Sequence, residues 1–232
     1  MTQSKLSRRD FIAASTASAL FASTPLFGSE GKRRVALVGT GVRGTGFWGK
    51  HLNDNYGDVV EYVGLCDINP GRLEYALNYM GVDCPVFTDF DAMLAEAKPD
   101  LVIVTTVDST HDEFIVKGLH AGLDVVTEKP MTTDETKCQA ILDAAENSEG
   151  DLIVALNYRN GIIFSRLKEH LLDEKIGRLT SSDFNWYLNT YHGASYFRRW
   201  HGLRDQGGTL LCHKSAHHFD LLNWWIDSEP VE

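Results

Sequence analysis

Cysteine is scarce and scattered. Cys66, Cys84, Cys138 and Cys212 are the four in 232 residues, and no two of them form a CxxC pair. That spacing supports neither a zinc ribbon nor a disulfide framework, so free thiols are expected. Positive charge is also in short supply, with 22 Lys and Arg against 32 Asp and Glu, for a formal net charge of −10. An acidic surface repels phosphate backbones, so nucleic acid is not an expected partner. No apolar stretch is long enough for a permanent membrane span, and there is neither an internal repeat nor a low-complexity linker. What the chain does have is 43% hydrophobic residues, enough for a substantial core in one or two domains.

The first 32 residues read as an address. Ser7-Arg8-Arg9-Asp10-Phe11-Ile12 precedes an apolar, small-residue run from Ala13 to Phe27, in the order of a secretory signal. The paired arginines followed by Phe-Ile resemble a twin-arginine signal, whose export machinery carries folded proteins. A periplasmic or otherwise exported location follows, with the cofactor loaded before export. No cysteine follows the run to carry a lipid anchor.

From Arg33 onward, strand-like and helix-like segments alternate. Val35–Val38, Val59–Asp67, Leu101–Thr105, Asp124–Thr127 and Leu152–Leu156 are apolar or β-branched. Helical stretches separate them: about Thr45 to Leu52, Pro70 to Met80, His111 to Ala121, and one opening near Thr132-Thr133-Asp134-Glu135 with its own capping groups. This pace gives the α/β class with right-handed crossovers and a parallel sheet. After Tyr158 the texture changes. Leu179 to Tyr191 alternates like a strand with one exposed face, and aromatics then crowd together. The expected division is a signal and linker over 1–32, a Rossmann domain over 33–158, and the start of an α+β domain over 159–232. The chain stops at Pro230-Val231-Glu232 without a closing element, which reads as a truncation within that second domain.

The strand at Val35 runs into Gly39-Thr40-Gly41-Val42-Arg43-Gly44. In a GxGxxG loop the first glycine permits a tight turn, the second lets backbone approach a pyrophosphate, and the third lets helix pack on strand. The following helix presents free N–H groups and positive dipole to the phosphates. Asp67 ends the next strand, where a carboxylate accepts from an adenosine ribose diol and repels a 2′-phosphate. NAD is therefore expected over NADP, with Arg43 and Arg72 placed to soften that preference.

With Glu128-Lys129-Pro130 the chain resembles a known family, the Gfo/Idh/MocA oxidoreductases, over about Arg33 to Glu232. The motifs stand in family order: the glycine loop, Cys66-Asp67-Ile68-Asn69-Pro70, Thr105-Thr106 with His111, Glu128-Lys129-Pro130, Asn157-Tyr158-Arg159, then Gly207-Gly208-Thr209 leading to His217-His218-Phe219-Asp220. The resemblance implies a tightly held nicotinamide dinucleotide and sugar or polyol substrates. It also implies a second domain with an open antiparallel sheet that carries substrate and often builds a homo-oligomer. By it, Thr105, Thr106, His111, Glu128, Lys129 and Asn157 join the cofactor site, and Lys129 lies between nicotinamide and substrate. An ammonium there can stabilise alkoxide character as hydride leaves.

The family's Asp-x-x-x-His becomes His213-x-x-x-His217 here. Four-residue spacing on a helix puts both imidazoles on one face. His217 matches the family histidine and is the expected general base. His213, in place of the aspartate, relays a proton or is itself the base. Two histidines so spaced also suit a metal with Asp220 or His218, but no glutamate lies between them and Lys214 is cationic; no metal is expected. Arg159, Tyr191, His192, Arg199 and Trp200 are candidate substrate contacts, since aromatic faces beside donors suit a sugar ring.

The reaction expected is oxidation or reduction of a secondary hydroxyl on a sugar, glycoside or polyol. One related group, the NAD-dependent α-N-acetylgalactosaminidases, resembles the chain in its signal and glycine loop. It offers an alternative: transient oxidation at C3, elimination, hydration and re-reduction, giving glycoside hydrolysis without net redox change. An inactive nucleotide-binding protein is the third reading.

Overall fold

The computed structural model describes residues 31–228. Arg8, Arg9 and the apolar run after them lie outside the described residues, as do Pro230 to Glu232.

Six parallel strands form one sheet: β1 (Arg33–Val38), β2 (Val60–Cys66), β3 (Val86–Phe87), β4 (Leu101–Val104), β5 (Asp124–Thr127) and β6 (Leu152–Val154), in the order β3-β2-β1-β4-β5-β6. The central strands are buried on both faces, which is why they read as unbroken apolar runs. Their alternation sorts side chains into two cores. Val35, Leu37 and Ile103 pack with Leu73, Ala76 and Met80 on one face. Ala36, Val38, Val102, Val104 and Val125 pack with Phe90, Met93, Ile115, Leu119 and Ile141 on the other. The strand order reverses between β1 and β4, and at such a switch point the loops beyond the carboxyl ends part to leave a crevice.

The connecting helices begin where local chemistry starts them. Pro70–Met80 has Pro70 in its first turn, and the Asn69 side chain accepts from the Gly71 and Arg72 amides; Gly81, at φ 69°, ends it. Asp134 caps Glu135–Glu146 by accepting from the Lys137 amide. The helix after the glycine loop departs from a plain α-helix. Gly44–His51 winds as a π-type segment before continuing as Leu52–Tyr56. Gly49 within it packs so close to Met80 that a Cβ would lie 2.6 Å from its sulfur.

Beyond β6 the regular elements described are helical: Ile162–Leu172, short turns between Thr190 and Gly207, then Leu210–His213 and Ala216–Ile226, with residues 173–189 outside any helix or strand. Residues 179–189 form no strand among the described residues, contrary to the alternation of Leu179 to Tyr191. Alternation selects a face, but a strand also needs a neighbour to share its N–H and C=O groups, and among the described residues no strand lies beside this segment. The antiparallel sheet is likewise not seen among the described residues.

Candidate active site

The glycine loop closes over the end of β1. Gly39 has φ +90°, and a Cβ there would lie 2.6 Å from the Thr105 carbonyl carbon. A Cβ on Gly44 would lie 2.2 Å from the Gly39 oxygen, whereas one on Gly41 would meet nothing within 4 Å. The first and third glycines thus serve the fold of the loop, and the second leaves open the face a pyrophosphate would need. Thr105 locks the loop from β4, its hydroxyl donating to Gly39 O at 2.5 Å. Asp67 locks it from β2: Oδ2 accepts from the Thr40 amide at 2.8 Å and hydroxyl at 3.1 Å, and Oδ1 from the Asn69 amide at 2.9 Å. Asp67 is therefore a strut of the loop as well as part of the cleft wall.

That cleft, of about 1080 Å³, runs past Gly39 to Arg43, Asp67, Arg72, Thr105 and Thr106, with Trp200 closing one side. Its size, open glycine face and helix N-terminus fit a dinucleotide. Val42, four-fifths exposed, stands at its mouth.

Two expected cofactor contacts, His111 and Asn157, lie off the cleft. Arg43 lines it, and its Nε donates to Glu128 Oε1 at 2.5 Å, while Trp48 Nε1 donates to the same oxygen at 2.7 Å. A buried carboxylate recruits the nearest cation, and Glu128 is buried. His111 is only 1% exposed and lies off the cleft, between Pro130 O (2.9 Å from Nδ1) and Thr106 O (3.3 Å from Nε2). Burial pushes its pKa down. It is a positioning residue that ties the loop after β4 to the Glu128-Lys129-Pro130 turn. Asn157 is exposed beyond β6 and does not line the cleft.

Lys129 leaves the end of β5 and donates from Nζ to His213 O at 2.9 Å, with His213 Nε2 at 3.5 Å. Burial lowers its pKa below the usual lysine range, against the pull of Asp108 and Glu128. On its other side, His213 Nδ1 is hydrogen-bonded to Asp108 Oδ2. A carboxylate only accepts, so an N–H lies on Nδ1, and in the neutral ring Nε2 carries the lone pair. Tyr196, Trp200 and His201 meet the same ring edge-on, at 5.5, 5.9 and 4.7 Å between centroids.

His217 lies apart from this chain of contacts. The expected single helical face does not form, because the helix breaks at Lys214-Ser215, between Leu210–His213 and Ala216–Ile226. Its ring stacks flat on Tyr158, 4.0 Å between centroids and 3° between planes, and Nδ1 has no hydrogen-bond partner. Burial first, then the charges of Lys129 and Lys214, push its pKa down to about 3.

Among the substrate candidates, Arg159 is not free. It binds Asp220 through two nitrogens, Nε at 2.8 Å and Nη2, and both side chains are about nine-tenths buried. Arg199 and Trp200 line the nucleotide cleft, so they stand where the two halves meet. His192 is near enough for Lys214 and Lys129 to lower its pKa, after burial. Tyr191 is 94% exposed and away from these groups. Among the described residues no cluster of three or more His, Cys, Asp or Glu side chains could hold a metal ion. Asp108 and Lys214 are the residues that sequence reasoning missed as participants. Asp108 sits in a polar turn 105 residues before its partner, and nothing in the local pattern announces the pairing.

Residues 33–156 match the family model of the Gfo/Idh/MocA oxidoreductases, an oxidoreductase family with an NAD-binding Rossmann fold, and residues 168–232 match that family's C-terminal alpha/beta domain. The chain belongs to this family. Among its relatives, YteT of Bacillus subtilis (strain 168) is 42% identical over 204 residues, covering 86% of this chain and 48% of YteT. The inositol 2-dehydrogenase/D-chiro-inositol 3-dehydrogenase of Lactiplantibacillus plantarum is 26% identical over 194 residues, 82% of this chain and 52% of that enzyme. The WlbA dehydrogenase of Bordetella pertussis, solved in complex with NADH and UDP-GlcNAcA, superposes with a TM-score of 0.75 at 25% identity, over 87% of this chain and 57% of that one. The chain spans about half the length of the curated relatives it matches.

Proposed function

We propose that this chain carries the cofactor domain and proton-transfer groups of an NAD-dependent dehydrogenase that oxidises, reversibly, a secondary hydroxyl of a sugar, glycoside or polyol. The observation that carries the reading is the line Lys129–His213–Asp108 at the carboxyl end of the parallel sheet. Relatives named as inositol dehydrogenases and a WlbA dehydrogenase support it.

Bound NAD supplies the acceptor for the hydride that leaves the hydroxyl carbon. Lys129 donates a hydrogen bond to the reacting oxygen and stabilises the negative charge that gathers there. The hydroxyl proton passes to Nε2 of His213, and the imidazolium so formed stays paired with Asp108, which also fixes the tautomer. His213, rather than the family-position His217, is thus the base. An imidazole held near pKa 3 is a poor proton acceptor, and His217 serves instead as a neutral wall with Tyr158. Asp108 supplies from the nucleotide domain the carboxylate that His213 displaced from the family position.

The test is formation of reduced cofactor on a panel of sugars, inositols and glycosides. Lys129→Met is expected to lower kcat by about 100- to 1000-fold. Asp108→Asn is expected to lower it by about 10- to 100-fold with cofactor affinity kept. Glycoside cleavage without net reduced cofactor would move the chain to the hydrolase alternative. Full kcat in His213→Gln would return the base role to His217.

Export through the twin-arginine pathway to the periplasm belongs to the same reading, as does a second domain whose open antiparallel sheet builds a homo-oligomer. Arg8 and Arg9 support the first, and the match to the C-terminal family domain supports the second. An Arg8→Lys, Arg9→Lys pair that still exports a folded reporter would remove the export assignment.

A further inference from the structure

Lys214 is 8% exposed, and its charge is felt at Lys129 and His217. Its ammonium makes one hydrogen bond among the described residues, to the hydroxyl of Tyr158, at 3.3 Å, and the Tyr158 ring stacks on His217. The carboxylates Asp108, Glu128 and Asp220 are each engaged elsewhere: Asp108 by His213, Glu128 by Arg43 and Trp48, Asp220 by Arg159. No ion pair reaches Lys214 among the described residues. A buried cation without an anion is costly, and proteins normally pair it or lose it. The field of this charge is felt all round the pocket, where it helps to lower the pKa of His192, His217 and His218 as well as that of Lys129.

We propose that Lys214 and the Tyr158 hydroxyl receive a carboxylate on the substrate, so that the chain acts on a sugar acid in preference to a neutral sugar. The proposal rests on the dehydrogenase reading above and adds the substrate class. The ammonium and the phenolic O–H are two donors side by side, matched to the two oxygens of one carboxylate. A compact ammonium at this spot, away from the glycine loop, suits a monoanion better than a pyrophosphate. Lys129 remains free to address the reacting hydroxyl while Lys214 fixes the acid group, which orients the ring in the site.

The experiment uses the full chain loaded with NAD. Binding of D-glucuronate, D-galacturonate and their methyl esters is measured by calorimetry, and oxidation of the same compounds and of glucose and galactose by reduced-cofactor formation. At least one free acid is expected to bind roughly 10- to 100-fold more tightly than its uncharged ester. Lys214→Met is expected to abolish that preference while leaving affinity for the ester within about threefold. Equal affinity of acid and ester in the unaltered chain would overturn the proposal, and that comparison stands even if the variant fails to fold. A preference for the acid that survives in a folded Lys214→Met chain would overturn it too. Tight binding of an acid that is never oxidised would leave the carboxylate site standing and remove the dehydrogenase reading instead.

Discussion

His217 is an imidazole that its surroundings keep neutral, and this has a measurable cost in acid. The ordinary value lies near 6.5, and burial with two nearby ammonium groups brings it down to about 3. Below pH 6.5 the unfolded chain takes up a proton that the folded chain refuses, so folding stability falls as pH drops through that window and the effect saturates near pH 3. Replacing His217 by Phe keeps a flat ring on Tyr158 and removes the titration. Urea midpoints followed from about pH 7 to pH 4 are expected to fall less steeply in His217→Phe than in the parent; equal slopes would contradict the assignment. Lys129, His213 and His217 could be singled out in the sequence because their motifs are local and ordered along the chain, and the fold brings the first two within 3.5 Å of each other. Their division of labour could not be read there. It depends on Asp108, which reaches His213 only after the sheet brings the turn beyond β4 against the second half of the chain. Lys214 was legible as a charge and not as a buried one, since burial is set by Tyr158 and its neighbours rather than by the residues beside it.

Most helices and strands of the nucleotide domain follow their sequence signals, although the short strand Val86–Phe87 and the helix Phe90–Ala97 were not expected from the sequence. Pro70–Met80 forms between the bounds that Asn69, Pro70 and Gly81 impose, and Asp124–Thr127 is a strand over the whole apolar run. These segments carry their own stop signals, so little is left for tertiary context to decide. The region after β6 behaves differently. Its one strand-like alternation finds no partner among the described residues, and the His213-x-x-x-His217 spacing straddles a break between two helices. Here the joining element is the Arg159–Asp220 pair, which fastens the turn Asn157–Asn160 to the helix Ala216–Ile226. Arg159→Ala strands a buried carboxylate and is expected to cost about 3–5 kcal/mol in chemical denaturation, while Arg159→Met with Asp220→Leu recovers most of it. If the single variant costs less than about 1 kcal/mol, the pair is peripheral to stability.

For the molecule as a whole, the glycine loop is held in shape by protein contacts alone: Thr105 from one strand and Asp67 from another. A ligand that binds only the folded form raises stability in proportion to the logarithm of its excess over Kd. NAD at about 100 times its Kd is expected to add about 2.7 kcal/mol to unfolding, and the same concentration of NADP less, because a carboxylate lining the cleft at the end of β2 repels a 2′-phosphate. Equal stabilisation by both would show that Asp67 acts only as the strut of the loop. Gly39→Ala, which forces a Cβ to 2.6 Å from Thr105 at φ +90°, is expected to lose the NAD effect along with part of the basal stability.

The hydrogen bond from His213 to Asp108 spans the two halves of the chain. In the proposed mechanism the proton acceptor is therefore made of parts that neither half owns. A nucleotide domain folded alone would hold dinucleotide yet have no means of drawing a proton from alcohol, and a separate second half would have the imidazole without its tautomer fixed. On that mechanism proton-transfer competence would be a report on assembly, and a partly folded chain would be unable to reduce its cofactor on a stray hydroxyl.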